Sequence, residues 1–216
     1  MQGAIINVNG IVTDLDRRQF AAWQQVAMYE YGMGLPGKLA KDFKGLSRET
    51  ALNRVLDHFN ATADESTRQN LLREQDRFYG QVLADLSEAD LVPGIKRLLV
   101  ALYDHYVKLV INDPVGHADE IVKQLKLDAF VDATGQAAAS PAAYQALVGQ
   151  LAEPATGCVA LVASPADLQA AAQAGLTTIG VGDATTLAAA DYQVSQVGDL
   201  RYQMIEKVWE DTHEDK

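Results

Sequence analysis

Three consecutive apolar residues near the N-terminus, Ala4-Ile5-Ile6, run directly into a polar turn, Asn7-Val8-Asn9-Gly10. An unalternating apolar run closed by a glycine suits a central strand of a parallel sheet, buried on both faces. Open α/β sheets hold ligands at the C-terminal ends of such strands. Asn7 and Asn9, one residue apart, therefore stand where a crevice is expected. Both are amides, and that choice bears on everything the crevice can do.

After Asp14 the apolar period changes. Phe20, Trp23, Ala27 and Tyr31 share one face of a helix that Gly32, Gly34 and Pro36 end. Ser47 is a good N-cap for a helix carrying Leu52, Val55, Leu56 and Phe59. Thr62 with Glu65 matches a capping box and opens a long helix through Leu71, Leu72, Phe78 and Val82. Residues 15–86 thus read as wholly helical. From Ser87 strands and helices alternate. Strands are expected at Val107–Ile111, Phe130–Ala133, Val159–Val162, Thr177–Val181 and Tyr192–Val194, and a closing helix over Leu200–Trp209. Ser140-Pro141 and Ser164-Pro165 each read as an N-cap followed by Pro at the first helical position. This grammar implies a parallel, Rossmann-like sheet with right-handed crossovers. The division is an α/β core of residues 1–14 and 87–216, with a helical insert of residues 15–86.

The 216 residues suffice for one sizeable core and a smaller subdomain. A formal net charge of -11 argues against nucleic-acid binding, which needs a basic face. The single cysteine, Cys158, excludes an internal disulfide and is expected in the core. No apolar run approaches the roughly 20 residues that span a bilayer, and no signal peptide is evident. A cytoplasmic location without membrane association is expected.

The segment Asn7-Val8-Asn9-Gly10-Ile11-Val12-Thr13-Asp14 resembles the opening motif of the haloacid dehalogenase superfamily, Asp-x-Asp-Gly-(Val/Ile)-(apolar)-x-Asp. The likeness is to the β-phosphoglucomutase-like branch, in which a helical (C1-type) cap follows the first strand. Phe20 and Trp23, Lys44-Gly45-Leu46-Ser47-Arg48-Glu49, the Val92-Pro93-Gly94 turn and Ile179-Gly180-Val181-Gly182 extend it over nearly the whole chain.

The resemblance implies a nucleophilic Asp at position 7 and an acid–base Asp at position 9. A carboxamide has neither an anionic oxygen to attack with nor a proton that titrates near neutral pH. A Ser or Thr is expected where the chain has Asp113. No lysine occurs between Lys126 and Lys207, although the family places one before the helix at Ser140-Pro141. The acids that bind Mg²⁺ in the family correspond to Val162 and Ala163. No metal or other cofactor is therefore expected. Candidate phosphate or substrate contacts carried over from the family are Lys44, Gly45, Ser47 and Arg48 in the cap, with Trp23, Gln19 (where the family often has His) and, in the core, His117.

Each residue has a plainer reading beside this one. Asn7 and Asn9 serve as loop caps, Arg48 pairs with a nearby acid, Trp23 and Phe20 pack, His105 and His117 bind no metal, and Asp14 holds the loop. Three functions remain in view: an inactive or severely impaired relative that binds a sugar phosphate without metal, an active phosphatase or phosphomutase using unconventional groups such as Asp14 or Asp113, and a noncatalytic protein-interaction module.

Overall fold

The computed structural model describes residues 1–214, and two compact units divide the chain, residues 1–14 with 87–216 and residues 15–86. The first unit is a six-stranded, all-parallel sheet of order β3-β2-β1-β4-β5-β6. Its strands are β1 (Gly3–Asn7), β2 (Lys108–Asn112), β3 (Ala133–Gly135), β4 (Cys158–Val162), β5 (Thr177–Val181) and β6 (Tyr192–Val194). Strand β1 is central. It pairs from Gly3↔Lys108 to Asn7↔Asn112 on one side and from Gly3↔Cys158 to Ile6↔Leu161 on the other. Every residue of β1, β4 and β5 is buried, which is why these strands read as continuous apolar runs. Gly3 is required by this packing: a Cβ there would lie 2.7 Å from Cys158 Sγ and 2.8 Å from Leu151 Cδ1.

Helices cover both faces. They are numbered with those of the second unit: α1 (Asp16–Tyr31), α2 (Ala40–Phe43), α3 (Arg48–His58), α4 (Glu65–Leu83), α5 (Ile95–Asp104), α6 (Ala118–Gln124), α7 (Pro141–Leu151), α8 (Pro165–Gln173) and α9 (Tyr202–Glu214). Helices α7 and α8 pack side by side over a cluster of Ile5, Val110, Tyr144, Leu147, Ala160 and Leu168. Helices α5 and α9 pack together on the opposite face, where right-handed crossovers also put α6. The chain runs outward from β1 to β3 and then returns to β4, so direction reverses between β1 and β4. Such a reversal is where doubly wound sheets open a crevice. No helix among the described residues is long and apolar enough to cross a membrane.

The second unit, α1 to α4, closes over its own core of Phe20, Trp23, Val26, Leu52, Val55 and Leu71. Ser47 caps α3 by accepting from Thr50 N, as its sequence position suggests. The expected box at Thr62 and Glu65 is corrected: Asp64 is the N-cap of α4 and accepts from Thr67 N at 2.8 Å. An anionic cap also meets the positive end of the helix dipole, which favours Asp64 over the threonine upstream. The strand expected at Phe130–Ala133 is displaced as well. Asp128–Phe130 form a 3-10 turn and β3 begins at Ala133, because the Asp132 carboxylate accepts from Leu109 N at 2.8 Å just before the ladder starts.

Candidate functional site

Strand β1 ends in a tight loop. Val8 O accepts from Ile11, Val12 and Thr13 N–H, and Gly10 N–H donates to Thr13 O. Gly10 adopts φ +81°, a left-handed conformation that glycine enters without strain. Val8 N–H donates to Asn112 O across to β2. The amides of Val8, Gly10, Ile11, Val12 and Thr13 are thus already committed within the loop and the sheet. Asn9 bridges Thr13 across the turn. Asp14 is exposed, while its neighbour Thr13, 1% exposed, ties the loop down through Oγ1 to Asp90 O.

At the strand ends lies a buried polar chain. The parallel register sets Asn112 beside Asn7, and Asn112 Nδ2 donates to Asn7 Oδ1 at 3.1 Å and to Ala137 O at 3.0 Å. Asn112 Oδ1 accepts from Ala137 N at 2.8 Å. Asn7 Nδ2 donates to the Tyr144 hydroxyl at 3.0 Å, and that hydroxyl donates to Asp167 Oδ1 at 3.1 Å. Ser164 Oγ donates to Asp167 Oδ2 at 2.5 Å and accepts from Asp167 N at 3.1 Å, which closes the N-terminus of α8. Asn112 and Tyr144 are fully buried and Asn7 is 6% exposed. Burial first, and the Asp167 charge second, hold the Tyr144 phenol protonated well above its ordinary pKa.

The loop after β2 is filled in the same way. Asp113 is 2% exposed; its carboxylate accepts from His117 N at 2.9 Å and faces the amides of Val115 and Gly116, while Gly116 N–H donates to the Asp113 backbone carbonyl at 3.0 Å. It is an internal anion in a ring of backbone donors. Burial raises its pKa, although those donors oppose the rise. The sign then follows: the folded state binds this proton more tightly than the unfolded chain, so charged Asp113 lowers stability at neutral pH and the penalty fades as pH falls through the raised pKa. Asp113→Asn is expected to raise the urea midpoint at neutral pH, with the gap to wild type closing towards about pH 4.

The remaining candidates occupy separate places. Val162 is fully buried in the sheet core, and Ala163 packs its methyl against the Gly10 turn. His117 is half-buried with Nδ1 3.5 Å from Glu120. In the second unit Trp23 is 2% exposed and part of the core, and Gln19 is half-buried on α1. Lys44 is exposed, and Gly45 N–H reaches Asp16 Oδ1 at 3.4 Å. Arg48 is spent on α4: Nε donates to Gln75 Oε1 at 3.0 Å, one terminal nitrogen to Leu72 O at 2.8 Å, and the other lies 3.7 Å from Asp76. That fork clamps α3 to α4.

Mg²⁺ requires near-octahedral oxygen ligands. The crevice does not fit it. Asn7 Oδ1 is taken by Asn112, Val162 and Ala163 offer no side-chain oxygen, and Asp167 is held by Tyr144 and Ser164. The residues that sequence reasoning passed over are Asn112, Tyr144 and Asp167. Tyr144 shares helical spacing with Leu147, Val148 and Leu151 and so reads as core. A buried tyrosine hydroxyl needs a partner, and that was the available signal.

No family model matches the sequence. The chain is 27% identical to the β-phosphoglucomutase of Bacillus subtilis (strain 168) over 218 residues, 97% of this chain and 96% of that one. In fold it is similar to the β-phosphoglucomutase of Clostridium difficile, with TM-score 0.84 and 20% identity over 98% of each chain. It is also similar to a HAD hydrolase, family IA variant 3, from Entamoeba histolytica, with TM-score 0.78 and 15% identity over 97% of this chain and 100% of that one. Sheet order, the helical unit inserted after β1 and the full-length likeness agree: the chain has the haloacid dehalogenase fold and is similar over nearly its whole length to β-phosphoglucomutases.

Proposed function

We propose that this chain is a noncatalytic relative of the β-phosphoglucomutases, whose filled crevice neither transfers a phosphoryl group nor takes a sugar phosphate. The observation that carries this reading is Tyr144. Its fully buried hydroxyl stands on Asn7, at the end of the strand where the family's chemistry would start. Phosphoryl transfer depends on a positioned nucleophile and on neutralised charge. Here the nucleophile position is an amide in a closed chain, and the donors that would receive an anion are taken by Asp113, Ser164 and the β1 turn. Losing a general acid alone costs about 10²–10⁴ in rate. Turnover of glucose 1-phosphate or glucose 6-phosphate is therefore expected to stay at the buffer rate, with or without Mg²⁺, in an assay of released phosphate and of isomer exchange. Sustained turnover that Asp113→Asn abolishes would establish an unconventional active site instead.

A second reading, sugar-phosphate binding without metal, draws on exposed Lys44 and on the activity named for the Bacillus relative. Calorimetry separates the two. Heat of binding with a glucose phosphate, independent of Mg²⁺ and lost in Lys44→Ala, would replace the first reading with the second.

A further inference from the structure

The charge on this protein is unevenly placed. The helical unit of residues 15–86 carries ten Lys and Arg against ten Asp and Glu, and the sheet unit carries eight against nineteen. Within the sheet unit the fifty residues from Ala133 to Gly182 contain only Glu153 and Asp167 as charged groups, and no histidine. Both acids are half-buried and engaged, Glu153 with Lys108 and Asp167 with Tyr144 and Ser164. That stretch supplies α7 and α8, which lie side by side on one face of the sheet. Their outward positions are neutral, among them Ala142, Gln145, Ala146 and Gln150 of α7 and Gln169 and Gln173 of α8. The opposite layer has ordinary surface chemistry: α9 alone bears Glu206, Lys207, Glu210 and Asp211. Helix propensity explains the alanines but not the lack of Lys, Arg and Glu, which are comparably good helix formers and the usual choice on an exposed helix.

We infer that the α7–α8 face is the surface on which two copies of this chain associate about a twofold axis. Electrostatics selects the occupant. A twofold contact sets each patch against itself, so wherever the sheet unit is acidic, two copies meet acid to acid. Like charges brought together at an interface cost binding energy. The α7–α8 face is a helical layer where a chain of net charge -11 meets itself without that cost. Interface centres are depleted in charged residues, as this face is. Alanines let the helices approach closely, and a glutamine amide carries both donor and acceptor, so it is its own complement across a twofold. This inference is independent of the crevice and stands whether or not the protein is catalytic.

Sedimentation velocity of the full chain tests it, over a range of concentrations in low and high salt. The expected result is a species of twice the 23.4 kDa chain mass that persists in high salt. Ala146→Glu, at an exposed helix position, should shift it to monomer, with at least a tenfold rise in dissociation constant and unchanged circular dichroism. Gln145→Lys should do the same, since either sign of charge meets itself across the axis. Gln203→Glu, exposed on α9, is the control and should leave the dimer intact. A monomer at every concentration, a dimer that dissociates in salt, or a dimer that both charged variants leave unchanged would overturn the inference.

Discussion

Tyr144→Ala is expected to lower the stability of the sheet unit by about 3–5 kcal/mol, the range for removing a large aromatic from a packed core. Two effects add. The ring fills the space between α7 and the ends of β1 and β2 as a member of the main apolar cluster, and its removal leaves a void there. The hydroxyl joins Asn7 to Asp167, and without it an amide donor and a carboxylate oxygen lose their shared partner. Tyr144→Phe isolates the second effect and is expected to cost about 1–3 kcal/mol, the penalty for an unsatisfied buried polar group. Chemical denaturation of the three proteins gives both numbers. A cost near zero for both variants would mean that this chain of hydrogen bonds does not close the crevice.

Asn7→Asp restores the residue type that the family motif carries, and the expected outcome is loss of stability without gain of activity. The new carboxylate would sit at a 6% exposed position beside a hydroxyl whose single proton already serves Asp167. It would also lose the Nδ2 donor that Asn7 now gives to Tyr144. An uncompensated buried charge costs about 3 kcal/mol or more. Burial raises the folded-state pKa of such a carboxyl above its unfolded value, so the cost is largest at neutral pH and recedes as pH falls through the raised pKa. Denaturation midpoints at neutral pH and near pH 5 check the sign. No phosphate release is expected, because the metal-binding acids and the lysine of the family are still absent and losses within one catalytic unit are not additive. Adding Asn9→Asp should not change that result. Turnover in either variant would show that the crevice remains open to substrate.

The fold was legible because its determinants are local and repetitive. Ala4-Ile5-Ile6, Val159–Val162 and Thr177–Val181 are buried on both faces and so lack any alternation. Ser47, Ser140 and Ser164 cap helices through hydrogen bonds that span three residues. The boundaries that slipped depended on longer contacts. Asp132 reaches Leu109, 23 positions away, and so delays β3.

The candidate site divides along the same line. That Asn7, Asn9, Val162 and Ala163 cannot perform the family's acid–base or metal chemistry follows from residue type, since no conformation gives an amide a titratable proton or valine an oxygen ligand. What occupies the vacated site was written nowhere locally. Asn7 meets Tyr144 137 positions away and Asn112 105 positions away, and only the order β2-β1-β4 brings them together. Arg48 reads equally as a phosphate fork or as a structural clamp until α4 supplies Gln75 and the Leu72 carbonyl. The sequence by itself determined a parallel α/β core with a helical insert and the removal of the nucleophile, because strand burial and side-chain chemistry are properties of the residues themselves. The tertiary structure decided that Asn7 is tied into a buried chain with Asn112, Tyr144 and Asp167, because that chain takes hydrogen bonds between side chains that only the sheet's register and crossovers place within 3 Å or so of one another.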